Sequence, residues 1–369
     1  MSKTKVKRIK MSPKERIIIV IAIVVALSLI FGVVKFYLKR WVPLSESNGS
    51  IDEGNKSYAL KVEDESLNDD GLDLNQKIEG QFTILCLGFD EQGENTDVIM
   101  LVQCDIKNKK INILQIPRDT YVGGSTTGKL NSVYAYGDKD LTPINRVASK
   151  IEDITGIPID RYMAINCNDI PPVVDAMGGI PINVPETIVY EADKIIKAGE
   201  QTLTGEQSEW FVRFRHDYTE GDIGRVKAQR IFLAAAMSKL KDMGSLKFIS
   251  IFPTIQQYIM SDMSLGEIGS LADFAQTVSM KDVTARMLPG ESLAPSDYNG
   301  YYIWTIHADE LADMLNEYFR PYQADMSADE LDVIQLRNSE SYYDEVVDNF
   351  EDISSGDTPS IPRKETSKK

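Results

Sequence analysis

Histidine and cysteine are scarce in this chain of 369 residues. Its two histidines leave little room for a histidine-based metal site. Its three cysteines, Cys86, Cys104 and Cys167, follow neither a CxxC spacing nor a disulfide framework, so we interpret them as small apolar strand residues. An apolar content of 43% and a charged content of 26% are ordinary for a folded protein, which excludes a chain that is disordered throughout.

Positive charge is also scarce beyond the N-terminal segment. The chain carries 40 Lys and Arg against 56 Asp and Glu, a net charge of −16. Residues 1–40 hold ten basic residues and one acidic residue, a balance of +9, which leaves −25 on residues 41–369. Binding to a nucleic-acid backbone needs clustered cations, so we predict no nucleic-acid partner for this acidic part.

Residues 17–34 form an uncharged apolar run of eighteen residues. At about 1.5 Å per residue a helix of this length spans roughly the hydrocarbon core of a membrane. The bulky residues after the run lack the small residues of a signal-peptide cleavage site, which favours a retained anchor over a cleaved signal peptide. Because seven Lys or Arg precede the run, we predict a cytoplasmic stub at 1–16, a single transmembrane helix at 17–38 and an extracellular remainder.

The extracellular part divides into three segments. Residues 39–79 are polar and acidic, which predicts a linker. Residues 80–321 alternate strand patterns with helical patterns and begin like a hairpin, which predicts an α/β fold with a mixed central sheet covered on both faces. The strand patterns lie at 82–89, 98–106, 111–116, 162–166, 180–184 and 283–288, and the helical patterns at 141–154, 168–177, 223–243, 264–277 and 307–319. Residues 322–369 hold twelve acidic and five basic residues, which predicts a mostly disordered tail.

Two aspartates flank the turn between the first two predicted strands. Asp90 ends the first strand and Asp97 opens the second, so their carboxylates could converge across a short loop. Two carboxylates with phosphate oxygens and water suit Mg²⁺, which takes few protein ligands. The alternative is that both are turn or capping residues, which is common for Asp at strand ends.

Arginines recur at the ends of predicted elements. Arg118 follows the 111–116 strand directly after Pro117, where ligands bind in open α/β sheets, although a surface ion pair is the alternative. A capping box at Thr204 predicts a short helix over 205–212. If the next residues run extended, Arg213 and Arg215 point the same way. The nearby His216 is a possible base, but a histidine hydrogen-bonded within a turn is the simpler interpretation.

The helix predicted over 223–243 presents a polar face at its start. Arg225 and Gln229 are spaced i, i+4 and share that face, where free backbone N–H groups also favour an anion. Asp222 either caps this helix or has a direct functional role. Lys227 and Arg230 fall on other faces and are predicted to be solvated.

A concentration of arginines is unexpected on so acidic a domain. Planar guanidinium groups bind phosphate oxygens with two parallel hydrogen bonds. Arginines gathered around a Mg²⁺ held by aspartates would therefore match a doubly charged pyrophosphate.

Several segments together resemble the LytR-CpsA-Psr family, over roughly residues 80–321 and in the family's order. They are LGFD, TDVIMLVQCDIKNKKINILQIPRDTYV, KLNSVYAYG, DAMGGIPINVP, LTGEQSEWFVRFRHD, GDIGRVKAQRIFL, LPGE and YYIWTIHADEL. Members of this family are membrane-anchored proteins outside the cell, mostly in Gram-positive bacteria. They transfer glycopolymers such as wall teichoic acid or capsular polysaccharide from a polyprenyl-pyrophosphate carrier to peptidoglycan. The resemblance implies an α-β-α sandwich with a hydrophobic cavity for the lipid chain and Mg²⁺ at the pyrophosphate.

The resemblance also implies roles for individual residues. It assigns Asp90 and Asp97 to Mg²⁺. It assigns a catalytic set and a pyrophosphate-binding set that overlap: the catalytic set is Arg118, Arg213, Arg215, Arg225 and Asp222, and the binding set is Arg118, Lys129, Arg213, Arg215, Arg225 and Gln229. The sequence departs from the family at Asn95, since members usually carry Arg two residues before the second metal aspartate.

The leading functional hypothesis is a Mg²⁺-dependent phosphotransferase, in which an acceptor sugar hydroxyl attacks the glycosyl-linked phosphorus and the lipid monophosphate leaves. Asp97, Asp119 and Asp222 are all candidates for the base. One alternative is a lipid pyrophosphatase with water as the acceptor. Another is a non-catalytic regulator that binds polyprenyl phosphate, which Asn95 keeps open. A transcription regulator is disfavoured, because sixteen cytoplasmic residues cannot form a DNA-reading module.

Overall fold

The structure is a computed structural model that describes residues 80–124, 127–215, 217–219, 221–337, 339 and 348–354. The predicted stub, transmembrane helix and linker at 1–79 lie outside the described residues. Within the described ranges, no helix combines the length and the apolar composition needed to cross a membrane.

The strands are numbered along the chain. They are β1 Gln81–Phe89, β2 Thr96–Asp105, β3 Lys110–Gln115, β4 Arg161–Asn166, β5 Ile180–Val184, β6 Ile188–Glu191, β7 Lys194–Ile196, β8 Gly199–Leu203, β9 Ile259–Ser261, β10 Val283–Met287, β11 Gly290–Leu293, β12 Ile303–Ile306 and β13 Asp348–Asn349. The helices are α1 Pro143–Thr155, α2 Ile170–Ala176, α3 Gly205–Arg213, α4 Asp222–Met243, α5 Ser245–Ile255, α6 Leu265–Thr277, α7 Ala308–Met314 and α8 Phe350–Ser354, and a π-helical turn, Leu315–Phe319, continues α7.

Seven strands form the central sheet, in the order β13-β10-β3-β2-β1-β4-β9. The β1–β2 and β2–β3 pairs are antiparallel, whereas β1–β4 and β3–β10 are parallel. The prediction of a mixed sheet is therefore confirmed. This topology brings the carboxyl ends of β1, β3, β4 and β10 to one edge of the sheet.

Both faces of the sheet are buried because the strands alternate apolar residues to each side. In β1, Ile84 joins one hydrophobic cluster, and its neighbours Leu85 and Leu87 join the other. The long helix α4 covers the first face through Ile231, and α1 covers the second through Ile151. Helices on both faces make this an α-β-α sandwich.

Capping residues account for the starts of three helices. The Thr142 side chain accepts from the Asn145 N–H at the start of α1. The predicted capping box at Thr204 is confirmed, with Gln207 returning the bond at the start of α3. A second capping box, led by Ser264, begins α6.

The sequence placed some elements correctly and others incompletely. The 180–184 strand forms as β5, but it pairs with β8 in a separate two-stranded sheet rather than in the central one. The apolar stretch at 246–260 contributes helix α5, which the patterns did not predict. Cys86, Cys104 and Cys167 are free thiols, and burial raises the pKa of Cys86 and of Cys104 to about 12, in line with apolar roles. Cys86 and Cys104 lie in strands as predicted, whereas Cys167 begins a short 3₁₀ turn after β4, so the strand prediction is wrong for Cys167.

The tail prediction is wrong for those residues of 322–369 that the structure describes. Met326 and Leu331 are buried against the α1 side of the sheet, and Phe350 and Ile353 against the α4 side. β13 also pairs with β10 at the edge of the sheet. The prediction rested on the acidic composition of the tail, and these few apolar residues are too widely spaced to form a recognisable pattern. Residues 340–347 and 355–369 lie outside the described residues.

Glu152 on α1 is expected to make the domain less stable as the pH rises. Burial raises the pKa of its carboxyl group from 4.5 to about 7, against the hydrogen bond that it accepts from the Ile159 N–H. The folded protein therefore binds this proton more tightly than the unfolded chain does. The resulting stabilisation is complete below pH 4.5 and is lost as the pH rises through 7. We expect Glu152→Gln to remove about 1–3 kcal/mol of pH dependence in that window.

Urea unfolding of the wild type and the variant at several pH values measures this effect. The exposed Glu200→Gln variant is the matched control and should leave the pH dependence unchanged. An equal pH dependence in the wild type and in Glu152→Gln would contradict the assignment.

Candidate active site

Four charged side chains from three segments meet at the sheet edge where β1 and β3 end. Asp97 is the second residue of β2, and Arg118 follows the end of β3. Asp222 and Arg225 lie in the first turn of α4. Antiparallel pairing of β2 with β3 places the start of one beside the end of the other, which is why residues 21 apart in sequence come into contact.

The four side chains form a quartet in which each guanidinium contacts both carboxylates. Arg118 Nη1 lies 2.6 Å from Asp97 Oδ1, and Arg118 Nε lies 3.6 Å from Asp222 Oδ2. Arg225 Nη1 lies 3.5 Å from Asp97 Oδ2, and its Nη2 lies 2.9 Å from Asp222 Oδ1. The quartet has no net charge, which allows it to form at a partly desolvated edge of the sheet.

Burial differs between the two arginines of the quartet. The Arg225 side chain is 5% exposed, and burial lowers its pKa, although Asp222 opposes this shift. Burial acts in the same direction on Arg118, but the nearby Asp222 and Asp97 outweigh it and raise the pKa of Arg118. Guanidinium groups stay protonated in proteins, so both remain cations throughout the working pH range.

The Nε atoms of Arg118 and Arg225 are buried donors without a hydrogen-bond acceptor among the residues that the structure describes. A buried donor without an acceptor is destabilising by about 1–3 kcal/mol. Two such donors on neighbouring cations indicate a place where an anionic ligand supplies the acceptors.

A cavity of about 600 Å³ adjoins the quartet. Arg118 and Asp222 lie in its wall, together with the predicted site residue Arg215. Its remaining lining includes the polar Asp119, Thr219 and Ser292 and the apolar Ile223, Val226, Tyr302, Ile303 and Trp304. The cavity therefore has a charged side and an apolar, partly aromatic side.

Lys129 approaches the site through an ion pair. Its Nζ lies 3.0 Å from Asp119 Oδ1, and Asp119 lines the cavity beside Arg118. An isolated antiparallel β-bridge also pairs the backbone of Lys129 with that of Tyr121.

Arg213 lies beside the loop after β1 instead of joining the quartet. As the last residue of α3 it pairs with Glu209 at 2.7 Å and with Glu91. Burial acts to lower the pKa of Arg213, but the hydrogen bonds that it donates to Glu91 and Glu209 outweigh burial and raise the pKa. Because Glu91 is half exposed, a phosphate oxygen can replace it as a partner of Arg213.

Asp90 caps its own loop, and Asn95 closes that loop. Asp90 Oδ1 accepts from the backbone N–H groups of Glu94 and Asn95, and Oδ2 accepts from Asn95 Nδ2 at 2.8 Å. Partial burial acts to raise the pKa of Asp90, but these hydrogen bonds outweigh it and lower the pKa. Asn95 thus has a structural role here that an arginine could not fill in the same way.

Asp90 and Asp97 carry carboxylates, which are the type of ligand that Mg²⁺ takes. A carboxylate offers about four acceptor positions, and protein hydrogen bonds occupy three of those of Asp90. Within the described ranges, no three or more His, Cys, Asp or Glu stand together as a metal-binding group. A Mg²⁺ ion held by two carboxylates completes its coordination with water and phosphate oxygens, which is the arrangement that this ion prefers.

Asp222 does not cap α4, which was one of the two roles that the sequence left open for it. The N-cap of α4 is Gly221, and the Asp222 carboxylate belongs to the quartet rather than to a cap. Gln229 donates to the Val212 carbonyl at 3.2 Å and so supports the backbone beside Arg213.

Arg230 was predicted to be solvated, and this is wrong. It is buried, and its Nε donates to Gln115 Oε1 at 2.7 Å. Helix α4 is covered on more than one face, so position on the helix alone did not predict exposure. His216 lies outside the described residues.

Two features of the site were not predicted from the sequence. One is the pair of glutamates that form ion pairs with Arg213, and the other is the aromatic side of the cavity. The i, i+4 spacing of Glu209 and Arg213 is a local signal that could have revealed that pair. Glu91 gives no such signal, because it reaches Arg213 across 122 residues.

The fold and the site define an α-β-α protein with an arginine- and aspartate-lined cavity suited to an anionic phosphate ligand. The profile of the LytR_cpsA_psr family matches residues 36–320. The chain therefore belongs to the LytR-CpsA-Psr family, as the resemblance indicated.

Proteins similar to this chain include two transferases of Bacillus subtilis strain 168. The polyisoprenyl-teichoic acid–peptidoglycan teichoic acid transferase TagV is 28% identical over 305 residues, which cover 78% of this chain and 74% of TagV. TagU, which is also a polyisoprenyl-teichoic acid–peptidoglycan teichoic acid transferase, is 24% identical over 312 residues, which cover 82% of this chain and 95% of TagU.

Solved structures support the same assignment. The crystal structure of B. subtilis TagV matches with a TM-score of 0.56 at 26% identity, over 66% of this chain and 99% of that one. Protein gbs0355 of Streptococcus agalactiae has a TM-score of 0.57 at 23% identity, over 69% of this chain and 93% of that one, and shows the shared fold.

Proposed function

We propose that this protein transfers a wall glycopolymer from a polyisoprenyl-pyrophosphate carrier to peptidoglycan. Family membership and the names of its relatives TagV and TagU support this activity. The observation that carries the proposal is the pair of buried Nε donors on Arg118 and Arg225, beside a cavity that also holds Arg215. These cations offer hydrogen-bond donors to the oxygens of a pyrophosphate.

The reaction is a displacement at phosphorus. An acceptor sugar hydroxyl attacks the phosphorus that carries the glycopolymer, forming a new P–O bond. The bond to the bridging oxygen breaks, and the lipid monophosphate leaves with its electron pair. The hydroxyl proton passes to a carboxylate of the cavity wall, where Asp119 and Asp222 lie. Arginines contribute by stabilising the charge that builds up on the phosphate oxygens in the transition state.

The other predicted site residues support this arrangement from outside the quartet. Arg213 binds the pyrophosphate by exchanging the half-exposed Glu91 for a phosphate oxygen. Lys129 acts through its ion pair with Asp119, and Gln229 through the backbone beside Arg213. Asp90, from outside the quartet, and Asp97, within it, would hold Mg²⁺, which when bound would neutralise negative charge on the phosphates.

The proposal includes a membrane anchor. The apolar run at 17–34 and the basic residues before it support a single-pass helix over 17–38 with a cytoplasmic N-terminus. The catalytic domain would then lie outside the cell, on the side where peptidoglycan is.

A transfer assay with the full-length protein in detergent tests the function. The reaction contains a polyprenyl-pyrophosphoryl saccharide, peptidoglycan fragments and Mg²⁺. We expect saccharide linked to peptidoglycan through a phosphodiester, and loss of that product when EDTA removes Mg²⁺. Release of saccharide phosphate into water at the same rate with and without peptidoglycan would instead identify a lipid pyrophosphatase. Lipid binding without any turnover would identify a regulator.

A further inference from the structure

We propose that Tyr302 and Trp304 form a subsite of the cavity that binds a pyranose ring beside the phosphate-binding arginines. This inference rests on the proposed function, which places a sugar on each side of the transferred phosphate. The shared chemistry is a pyranose, which belongs either to the donor saccharide or to the acceptor glycan. The subsite consists of Tyr302, Trp304, Asp119 and Ser292, all of which line the cavity.

The two aromatic residues lie on one side of the same strand. Tyr302 immediately precedes β12, and Trp304 is two residues further on, so both project to the same side. The Tyr302 side chain is 61% exposed although it lines the cavity, whereas Trp304 is buried. Tyr302 and Trp304 together form an aromatic surface of the cavity wall, of which Tyr302 is the part open to solvent.

Backbone hydrogen bonds fix this surface relative to Arg118. The Trp304 N–H donates to the Asp119 carbonyl at 2.8 Å, and the Tyr121 N–H donates to the Trp304 carbonyl at 2.8 Å. The strand that carries the aromatic residues is thereby attached to the chain that follows Arg118. A phosphate bound to Arg118 would therefore place its attached sugar at a fixed distance from the aromatic rings.

A glycine makes room for the indole. A Cβ atom at Gly290, the first residue of β11, would lie 2.6 Å from Trp304 Nε1 and 2.2 Å from the Thr305 carbonyl oxygen. Any other residue at this position would require the indole or the β12 backbone to shift. The glycine at position 290 thus allows the indole of Trp304 to lie where it does in the cavity wall.

The chemistry of the subsite suits a sugar better than a lipid. A pyranose presents an apolar C–H face that stacks on an aromatic ring, and hydroxyl groups at its edge that need polar partners. The carboxylate of Asp119 and the hydroxyl of Ser292 provide such partners in the same wall. A polyisoprenyl chain would desolvate both groups without replacing their hydrogen bonds to water, which is unfavourable.

Variants of the most exposed aromatic residue test the subsite. Tyr302→Ala removes the stacking surface, and Tyr302→Phe keeps the ring and loses only the hydroxyl. Tyr136→Ala is the matched control, because Tyr136 is 71% exposed and does not line the cavity. We expect about a tenfold weaker sugar interaction for Tyr302→Ala, near wild-type values for Tyr302→Phe and no change for the control.

Three probes are measured with the full-length protein. They are peptide-free peptidoglycan glycan strands, polyprenyl pyrophosphate without sugar, and the same lipid with a saccharide attached. Equilibrium binding of each probe and the KM for donor and acceptor in transfer are compared between the wild type and the variants. Weaker binding of glycan strands alone assigns the subsite to the acceptor. Weaker binding of the lipid-linked saccharide, but not of the sugar-free lipid, assigns it to the donor.

Two results would overturn the proposal. One is unchanged binding of both sugar-bearing probes by Tyr302→Ala. The other is an equal loss of binding to the sugar-free lipid, which would show that the aromatic wall binds the polyisoprenyl chain. A wild-type protein that fails to transfer would refute the proposed function, and the binding measurements would still decide on the subsite.

Discussion

Arg118→Ala is expected to lower kcat/KM for transfer by about 10³-fold, the scale seen when a cation or donor that stabilises transition-state charge is removed. Arg118 lies in the cavity wall, and its Nε is a buried donor without an acceptor in the described part of the chain. Losing it removes this hydrogen-bond donor to the phosphate and leaves the carboxylates of Asp97 and Asp222 facing the substrate. Steady-state transfer kinetics measure the loss.

Two further variants separate charge from structure. Arg118→Lys keeps the positive charge but loses the planar guanidinium group and its paired N–H donors, so we expect an intermediate loss of activity. Arg161→Ala removes another arginine, which lies on β4 and pairs with Glu267 of α6, and should leave transfer unchanged. Circular dichroism and thermal unfolding should show a folded protein in each case. Wild-type transfer by Arg118→Ala would refute the active-site assignment.

Arg225→Met is expected to destabilise the protein by about 3 kcal/mol, as observed when one partner of a buried ion pair is removed. Arg225 lies between Asp97 and Asp222, and removing it leaves these two carboxylates with Arg118 as their remaining cation in the quartet. Transfer should fall together with stability. Urea unfolding measures the free energy, and assays well below the unfolding transition measure the residual activity.

A double-mutant cycle identifies the source of this effect. Asp222→Asn combined with Arg225→Met removes one positive and one negative charge, so its free-energy change should be smaller than the sum of the two single changes. Lys239→Met, on the same helix and outside the quartet, is the control and should have little effect. Additive free-energy changes would show that the two residues do not interact as the structure indicates.

Much of the fold follows from local patterns. The apolar run at 82–89 predicts a strand, and β1 forms there with residues buried on both faces of the sheet. The capping box at Thr204 predicts the start of α3, and the helix predicted over 223–243 forms as α4, Asp222–Met243. Such patterns are reliable because the interactions behind them join residues only a few positions apart.

The candidate site was predictable in part. Residue type and position at strand and helix ends identified Asp97, Arg118, Asp222 and Arg225, and the structure brings these four together. The role of Asp222 was not predictable, because a helix cap and an ion pair place the same residue at the same point of the sequence. Its pairing with Arg118 and Arg225 became evident only in three dimensions.

The chain's own residue order therefore accounts for the strands and helices, the charge balance and the chemical class of the site, since these depend on neighbouring residues and on composition. Only the tertiary structure decided that Arg213 pairs with Glu91, that the acidic tail folds back through Phe350, and that Tyr302 reaches the cavity. Each of these contacts joins segments far apart in sequence. Their formation depends on sheet order and on the packing of separate elements, which no local pattern records.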